Sequence, residues 1–222
     1  EPAPTDYEAQ LDQIAALFVF ANPAVVRQGV EKVAGGNISW NNGVNYQSLL
    51  EQSGMKEMVT SLYQKAGLDL KADLAKLAKT PRISPDPKAL AKIEPLVSYT
   101  GKISAPIINV DNDDPVDPAA QKLAYVATLK RAKTDHLFRM CWVRGAGHGG
   151  QTELDRLAGF VALIQRLDTG KWGDTSAAAM NALAKKLASE TDLPLGAATF
   201  IEHQPPKPLR TWDRSNWGRY KP

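Results

Sequence analysis

Two turns hold the side chains of this chain best suited to chemistry. The first closes the run Pro106-Ile107-Ile108-Asn109-Val110-Asp111-Asn112-Asp113-Asp114-Pro115-Val116-Asp117-Pro118 and presents a cluster of carboxylates. The second closes Trp142-Val143-Arg144-Gly145-Ala146-Gly147-His148-Gly149-Gly150 and presents one imidazole. A His flanked by Gly after an apolar strand can swing above a sheet rim without steric competition. It can then hand one ring nitrogen to an acid and the other to a nucleophile. About 34 residues separate His148 from the acidic turn, room for one helix between two strands. An acid–imidazole pair of this kind takes a proton from a nucleophile and returns it to a leaving group. His136 and His203 have no such setting and are expected at the surface as ordinary side chains.

Other chemistries fit the same residues less well. Asp111 and Asp113 alternate like the ligands of a calcium loop. Yet Pro115 stands where a third side-chain ligand belongs, and Val116 where the sharp turn needs Gly. A solvated acidic turn that caps the next helix is the simplest alternative. Asp117 before Pro118 is placed for that role, as an N-cap followed by a Pro at the first helical position. The single Cys, Cys141, excludes an internal disulfide and leaves no Cys pair for a metal site. It lies within the second apolar strand, where it reads as a small buried residue.

The elements that must position these turns follow from periodicity. Ile107, Ile108 and Val110 predict one short strand, and Phe138 to Val143 a second. Between them Leu123, Val126 and Leu129 mark a helix. Thr152-Glu153-Leu154-Asp155 is a capping signal for another helix, with Leu154, Leu157, Ala158, Val161 and Ile164 on one stripe. Strand, helix, strand, helix at this spacing is the repeat of a parallel sheet covered by helices, so the fold class expected is α/β. Residues 1–95 instead read as helical, with no convincing strand. Leu11, Ile14, Leu17 and Phe18, then Val25, Val26, Val30 and Val33, recur at helical spacing before Gly35-Gly36-Asn37 stops the run. A loop from Asn37 to Asn45 follows. Met58, Leu62 and Tyr63, stopped by Gly67, and then Leu70, Leu74 and Leu77 mark two further helices. Pro81 to Pro87 is a rigid loop that no helix can cross. After Gly170 one Ala-rich helix, Ala177 to Ala188, precedes an extended tail with Pro205, Pro206, Pro208, Trp212, Trp217 and Tyr220, aromatics expected to pack on the body.

The acid turn, the Gly-flanked His and the helix behind it resemble the end of an α/β-hydrolase, whose triad members follow in the order Ser, Asp, His. The resemblance runs from Pro106 to Gly170, and the trailing Arg166 to Trp172 looks like the corresponding stretch of secreted bacterial members. Aligning Asp111 with the residue that closes the family's strand puts Asp114 at the acid position, with Asp113 the alternative if the turn is one residue shorter. Asp111 departs from the family, where a Gly is common. The resemblance implies the C-terminal part of the hydrolase sheet, 96–170, preceded by a helical cap, 1–95, and followed by the helix and tail, 171–222. Caps of that kind wall the substrate pocket, which makes Phe18, Phe20, Trp40 and Tyr46 pocket candidates, each with a plain packing role as the alternative. It also implies an acyl hydrolase of esterase, lipase or amidase type, with Asp114 and His148 catalytic and no cofactor or metal.

No Gly-x-Ser-x-Gly elbow occurs in the 222 residues. Ser39 lies between Asn37 and Asn41, and Ser53 between Glu51 and Met55, none of them the small neighbours that strained turn needs. A companion chain or an N-terminal segment is therefore expected to supply the Ser and the oxyanion-hole amides. The chain starts at Glu1 with no basic-then-apolar leader, so a removed leader, a cleaved precursor or a sequence cut short is expected, and the resemblance to secreted members implies a secreted or periplasmic location. Two other classes stay open: a non-catalytic interaction subunit, or a hydrolase with a nucleophile other than Ser.

Composition narrows the partners. A formal net charge of +3, with no stretch combining Lys, Arg and aromatics, gives no sign of a nucleic-acid partner. No apolar run reaches the ~20 residues a membrane span needs. The 43% hydrophobic content suffices for a core.

Overall fold

In the computed structural model, which describes residues 8, 9, 12, 27–112, 114, 119–145, 148–194 and 199–205, the two apolar runs are adjacent parallel strands. The described residues form a mixed α/β structure that divides between Ser98 and Tyr99 into a helical unit and a sheet unit. Phe18, Phe20, Asp113, Asp117, Trp212, Trp217 and Tyr220 lie outside the described residues.

The helical unit comprises α1 (Gln28–Ala34), α2 (Tyr46–Gln52), α3 (Lys56–Lys65), α4 (Leu70–Lys79) and α5 (Pro87–Val97). Gly35 ends α1 at φ 86°, a left-handed conformation that any side chain would resist, and so serves as the stop that the sequence predicts. Asp86 begins α5 by accepting bonds from Lys88 N at 2.8 Å and Ala89 N at 3.3 Å, with Pro87 at the first position. The core is small: Ala34, Ala89 and Ile93 are buried, with Val30 and Ile38 packed beside them. Asparagines compensate. Asn37 Nδ2 donates to Ser84 O at 2.9 Å, Asn41 Oδ1 accepts from Ile83 N at 2.6 Å, and Asn42 Nδ2 donates to Ser84 Oγ at 2.5 Å. The loop after α1 is thereby stitched to the proline-rich loop before α5, which satisfies backbone groups that neither loop could satisfy alone.

The sheet unit holds β1 (Ile107–Asp111), α6 (Ala119–Ala132), a 3-10 turn (Asp135–Leu137), β2 (Phe138–Val143), α7 (Glu153–Thr169), α8 (Ala177–Glu190) and β3 (Phe200–Ile201). β1 pairs in parallel with β2, from Ile107 opposite Phe138 to Asp111 opposite Trp142. β3 adds antiparallel on the far side of β2, so β2 is central and β1 an edge. Alternation divides the sheet's side chains between two faces. On one face Ile108, Val110, Cys141, Val143 and Phe200 pack with Leu154, Ala158, Ala162, Met180 and Ala184 of α7 and α8. On the other, Phe138 and Trp142 meet α6, whose Tyr125 stands edge-on to Phe138 at 5.6 Å and whose Leu129 is fully buried.

Two features differ from the sequence reading, the buried stripe of α7 and the strand β3, and one adds to it. The buried stripe of α7 is Leu154, Asp155, Ala158, Gly159 and Ala162, while Ile164 is exposed. The smallest side chains face the sheet because the helix lies close to it. The described residues beyond 170 are part of the sheet unit, since α8 contributes Met180 and Ala184 to its core. β3 carries no readable periodicity at two residues. Its place is fixed by Asn181, whose amide donates to Phe200 O at 2.8 Å and accepts from Phe200 N at 3.0 Å, as a neighbouring strand would.

A Cβ on Gly159 would lie 2.6 Å from Val110 Cγ2, well inside contact distance. Gly159→Ala would gain about 1 kcal/mol of helix propensity but force overpacking that costs about 1–3 kcal/mol. The expected outcome is a net loss, read as a lower urea midpoint with unchanged slope.

Candidate active site

Both turns of interest leave the sheet at the C-terminal ends of parallel neighbours, so they emerge on one rim. Open α/β sheets characteristically bind ligands there. His148 Nδ1 lies 2.6 Å from Asp114 Oδ2, a hydrogen bond between side chains 34 residues apart. The environments of the two groups differ. The Asp114 side chain is 5% exposed and that of His148 67%. A carboxylate held in the protein therefore grips one ring nitrogen and leaves the remainder of the imidazole facing outward. Among the described residues Asp114 is the one side chain in hydrogen-bond contact with His148, so none of them offers it a nucleophilic hydroxyl or thiol.

Glycines make the His turn possible. Gly149 takes φ 74°, turning the chain sharply just after the imidazole. A Cβ at Gly145 would lie 3.0 Å from Gly150 O, and one at Gly150 3.2 Å from Asn112 Nδ2. A side chain at Gly145 would spread the ends of the His turn, and one at Gly150 would press that turn away from Asn112. Ala146 and Gly147 lie outside the described residues.

A polar layer underlies the pair. Asp111, the position where hydrolase-like sequences often have Gly, is ion-paired through Oδ2 with Lys122 Nζ at 3.0 Å, both side chains being largely buried. Lys122 Nζ also donates to Asn112 O at 3.1 Å and sits over the Trp142 ring at 5.7 Å. Asn112, fully buried, donates from Nδ2 to Gly145 O at 3.4 Å. Gln151 Nε2 donates to Asp111 Oδ1 at 3.2 Å and Asn112 Oδ1 at 3.3 Å. Sequence reasoning passes over Asn112, Lys122 and Gln151. The available signal is Asp111 itself, since a carboxylate closing an apolar strand calls for a cation or hydrogen-bond donors nearby, and the helix that follows carries Lys122.

The remaining candidates fall elsewhere. Asp113 lies outside the described residues. Among those residues no cluster of three His, Cys, Asp or Glu side chains is placed to hold a metal. His136 is exposed, but His203 is half-buried, edge-on to Trp142 at 5.0 Å, because β3 carries the chain back across that ring. In the helical unit Trp40 is half-buried. Tyr46 lines a cleft of about 490 Å³ with Lys71, Leu74 and Arg82, whose guanidinium lies 5.1 Å from the Tyr46 ring centre. Among the described residues no helix is long and apolar enough to cross a membrane.

Comparison with known proteins gives one informative likeness. The chain is similar to an o-phthalyl amidase of Xanthobacter agilis, 30% identical over 182 residues that make up 80% of this chain and 40% of that protein. The chain thus spans about two fifths of the length of the relative it matches. No protein-family model and no solved structure matches it.

Cys141 is 3% exposed, and burial pushes its thiol up to about 11. At pH 8 iodoacetamide should leave the folded protein unmodified and add one group once urea unfolds it, as mass spectrometry would show. The raised value means that the unfolded chain loses this proton first as pH climbs past 9.0. Over that range the unfolded state binds fewer protons, so this thiol's contribution lowers stability with rising pH.

Proposed function

We propose that this chain supplies the acid and the base of an amide-cleaving acyl hydrolase of α/β-hydrolase type, its nucleophilic Ser and oxyanion hole lying on a companion polypeptide or on residues outside this sequence. The observation that carries the proposal is the 2.6 Å contact between His148 Nδ1 and Asp114 Oδ2 at one rim of a parallel strand pair. Acid after one strand and His after the next matches the order of that family's last two triad members. The likeness to an o-phthalyl amidase favours amide over ester cleavage, and an aromatic acyl group as the substrate class.

In this mechanism Asp114 accepts the Nδ1–H of His148 and so leaves the lone pair on Nε2, facing outward. Nε2 removes the proton from the Ser hydroxyl as its oxygen bonds to the acyl carbon. The imidazolium, stabilised by Asp114, then passes that proton to the amine nitrogen as the C–N bond breaks. Water repeats the sequence on the acyl-enzyme, returning the Ser proton and releasing the acid. The buried carboxylate and exposed imidazole suit this division of labour, because the acid only orients while the base must reach a second group.

Two surface features support a companion. β1 is an edge strand in the described sheet, and among the described residues no strand pairs with its outer row of backbone groups. α7 leaves Phe160, Ile164 and Leu167 exposed at i, i+4 and i+7, an apolar row of the kind that core helices bury.

A fluorophosphonate probe tests the proposal on the protein purified with whatever accompanies it. The expected result is a labelled Ser on a second polypeptide, or on a segment beyond this sequence, with labelling abolished by His148→Ala. Labelling that survives His148→Ala would overturn the role of His148, and hydrolysis without any label would replace Ser by another nucleophile. Asp114→Asn should lower kcat about 10⁴-fold with KM nearly unchanged, since the interaction it removes orients the base and does not hold the substrate.

A further inference from the structure

The polar layer beneath the Asp114–His148 pair does more than fill space. Its members touch the acid turn where it leaves β1 and the His turn at both of its roots. Lys122 reaches from α6 to the carboxylate that ends β1 and to the carbonyl of the next residue, at 3.0 and 3.1 Å. Asn112 then reaches across to Gly145 O, where the His turn begins, and Gln151 reaches back to Asp111 and Asn112 from where that turn ends. The start of the acid turn is thus pinned to the His turn on either side of His148. Among the described residues the ammonium is the one cation in this layer, 7% exposed at its side chain.

The same contacts decide which carboxylate meets the imidazole. Asp111 Oδ1 accepts from Asn112 N at 2.9 Å and from Gln151 Nε2, and Oδ2 is held by Lys122 and approached by Asn109 Nδ2 at 3.3 Å. With both oxygens of Asp111 occupied in this way, the bond to His148 goes to Asp114. Without the ammonium, Asp111 would be a second, largely buried carboxylate near the site held by amide donors alone, which favours rearrangement of the turn.

We infer that Lys122 and Gln151 are positioning residues which, through Asp111 and Asn112, lock the acid turn to the His turn and keep Asp114 as the partner of His148. The inference rests on the reading of Asp114 and His148 as acid and base, but its first readout does not need catalysis. Long-range proton–nitrogen correlation of the imidazole ring reports which ring nitrogen carries the proton. In the unmodified protein the proton should sit on Nδ1, against Asp114. In Lys122→Met, which keeps length and removes charge, part of the population should shift to the Nε2–H form, and Lys122→Arg should restore most of the Nδ1–H form. In the active protein, with its companion, Lys122→Met should lower kcat about 10- to 100-fold, the scale on which small misplacements of reacting groups act. KM should change little.

Gln151→Leu provides a second, uncharged route to the same result should Lys122→Met fold poorly, as judged by circular dichroism. Either folded variant with the ring proton still wholly on Nδ1 and kcat unchanged would overturn the inference. Asp114→Asn separates the two levels. If it moves the ring proton while no acyl substrate is cleaved by the complete protein, the enzyme reading fails and the locking of the two turns stands. If it leaves the ring proton in place, the pairing on which both depend is wrong.

Discussion

Parallel pairing of two short strands is the constraint from which the site follows. In a parallel pair both chains leave the sheet at the same end, so the turns after β1 and β2 share a rim although about a helix's length of sequence separates them. An antiparallel pair of the same residues would send the acid and the imidazole to opposite rims. The register matters equally, because Asp111 opposite Trp142 sets how far each turn projects before it bends. Helix α6 makes the crossover, and its Tyr125 and Leu129 pack on the face of the sheet opposite α7 and α8.

Close packing keeps that pair aligned. On one face the helices approach through Ala158, Gly159 and Ala162, small residues that bring α7 near enough for Gly159 to touch Val110. Thr152 and Asp155 cap α7 reciprocally, Asp155 accepting from Thr152 N at 2.7 Å. Asp155 also takes a hydrogen bond from Thr199, and Arg144 N donates to Thr199 O at 2.7 Å, so the helix start, β3 and the root of the His turn are joined. The other face carries a more costly device. A Lys and an Asp withdrawn from water together must recover their hydration through mutual attraction and extra hydrogen bonds, and removing one of two such partners typically costs about 3–5 kcal/mol. Such an arrangement is a poor source of bulk stability. It favours one geometry, because the ion pair and its added hydrogen bonds are kept only while Asp111 and Lys122 hold this placement.

Much of the sheet unit is legible from residue patterns. The strands at 107–110 and 138–143, the helix capped by Thr152 and the helix opening at Ala177 all correspond to local signals, and local signals survive when tertiary packing agrees with them. The stripe of α7 is harder to read because hydrophobicity alone ranks Ile164 above Gly159, whereas closeness to the sheet selects the smaller residue. β3 is invisible because two residues have no period, and its partner, the Asn181 amide, comes from a helix. His203 reads as a surface residue because nothing nearby in sequence announces Trp142. In the helical unit the stop at Gly35 is clear, but the cross-links from Asn37, Asn41 and Asn42 to residues 83 and 84 are not, since side-chain amides bond in any direction and leave no periodic trace.

By itself the sequence determined the chemical types at each turn, the order of acid before imidazole, and the absence of a Ser elbow from these 222 residues, because all three depend on identity and adjacency alone. The tertiary structure decided that Asp114 is the carboxylate bonded to His148 and that Asp111 is bound to Lys122. A linear reading puts Asp114 ahead of Asp113 and gives Asp117 to a helix cap, but it brings no carboxylate into contact with the imidazole. Asp111 and Asp114 take different partners once the strand register places them and a buried ammonium from the crossover helix claims the first.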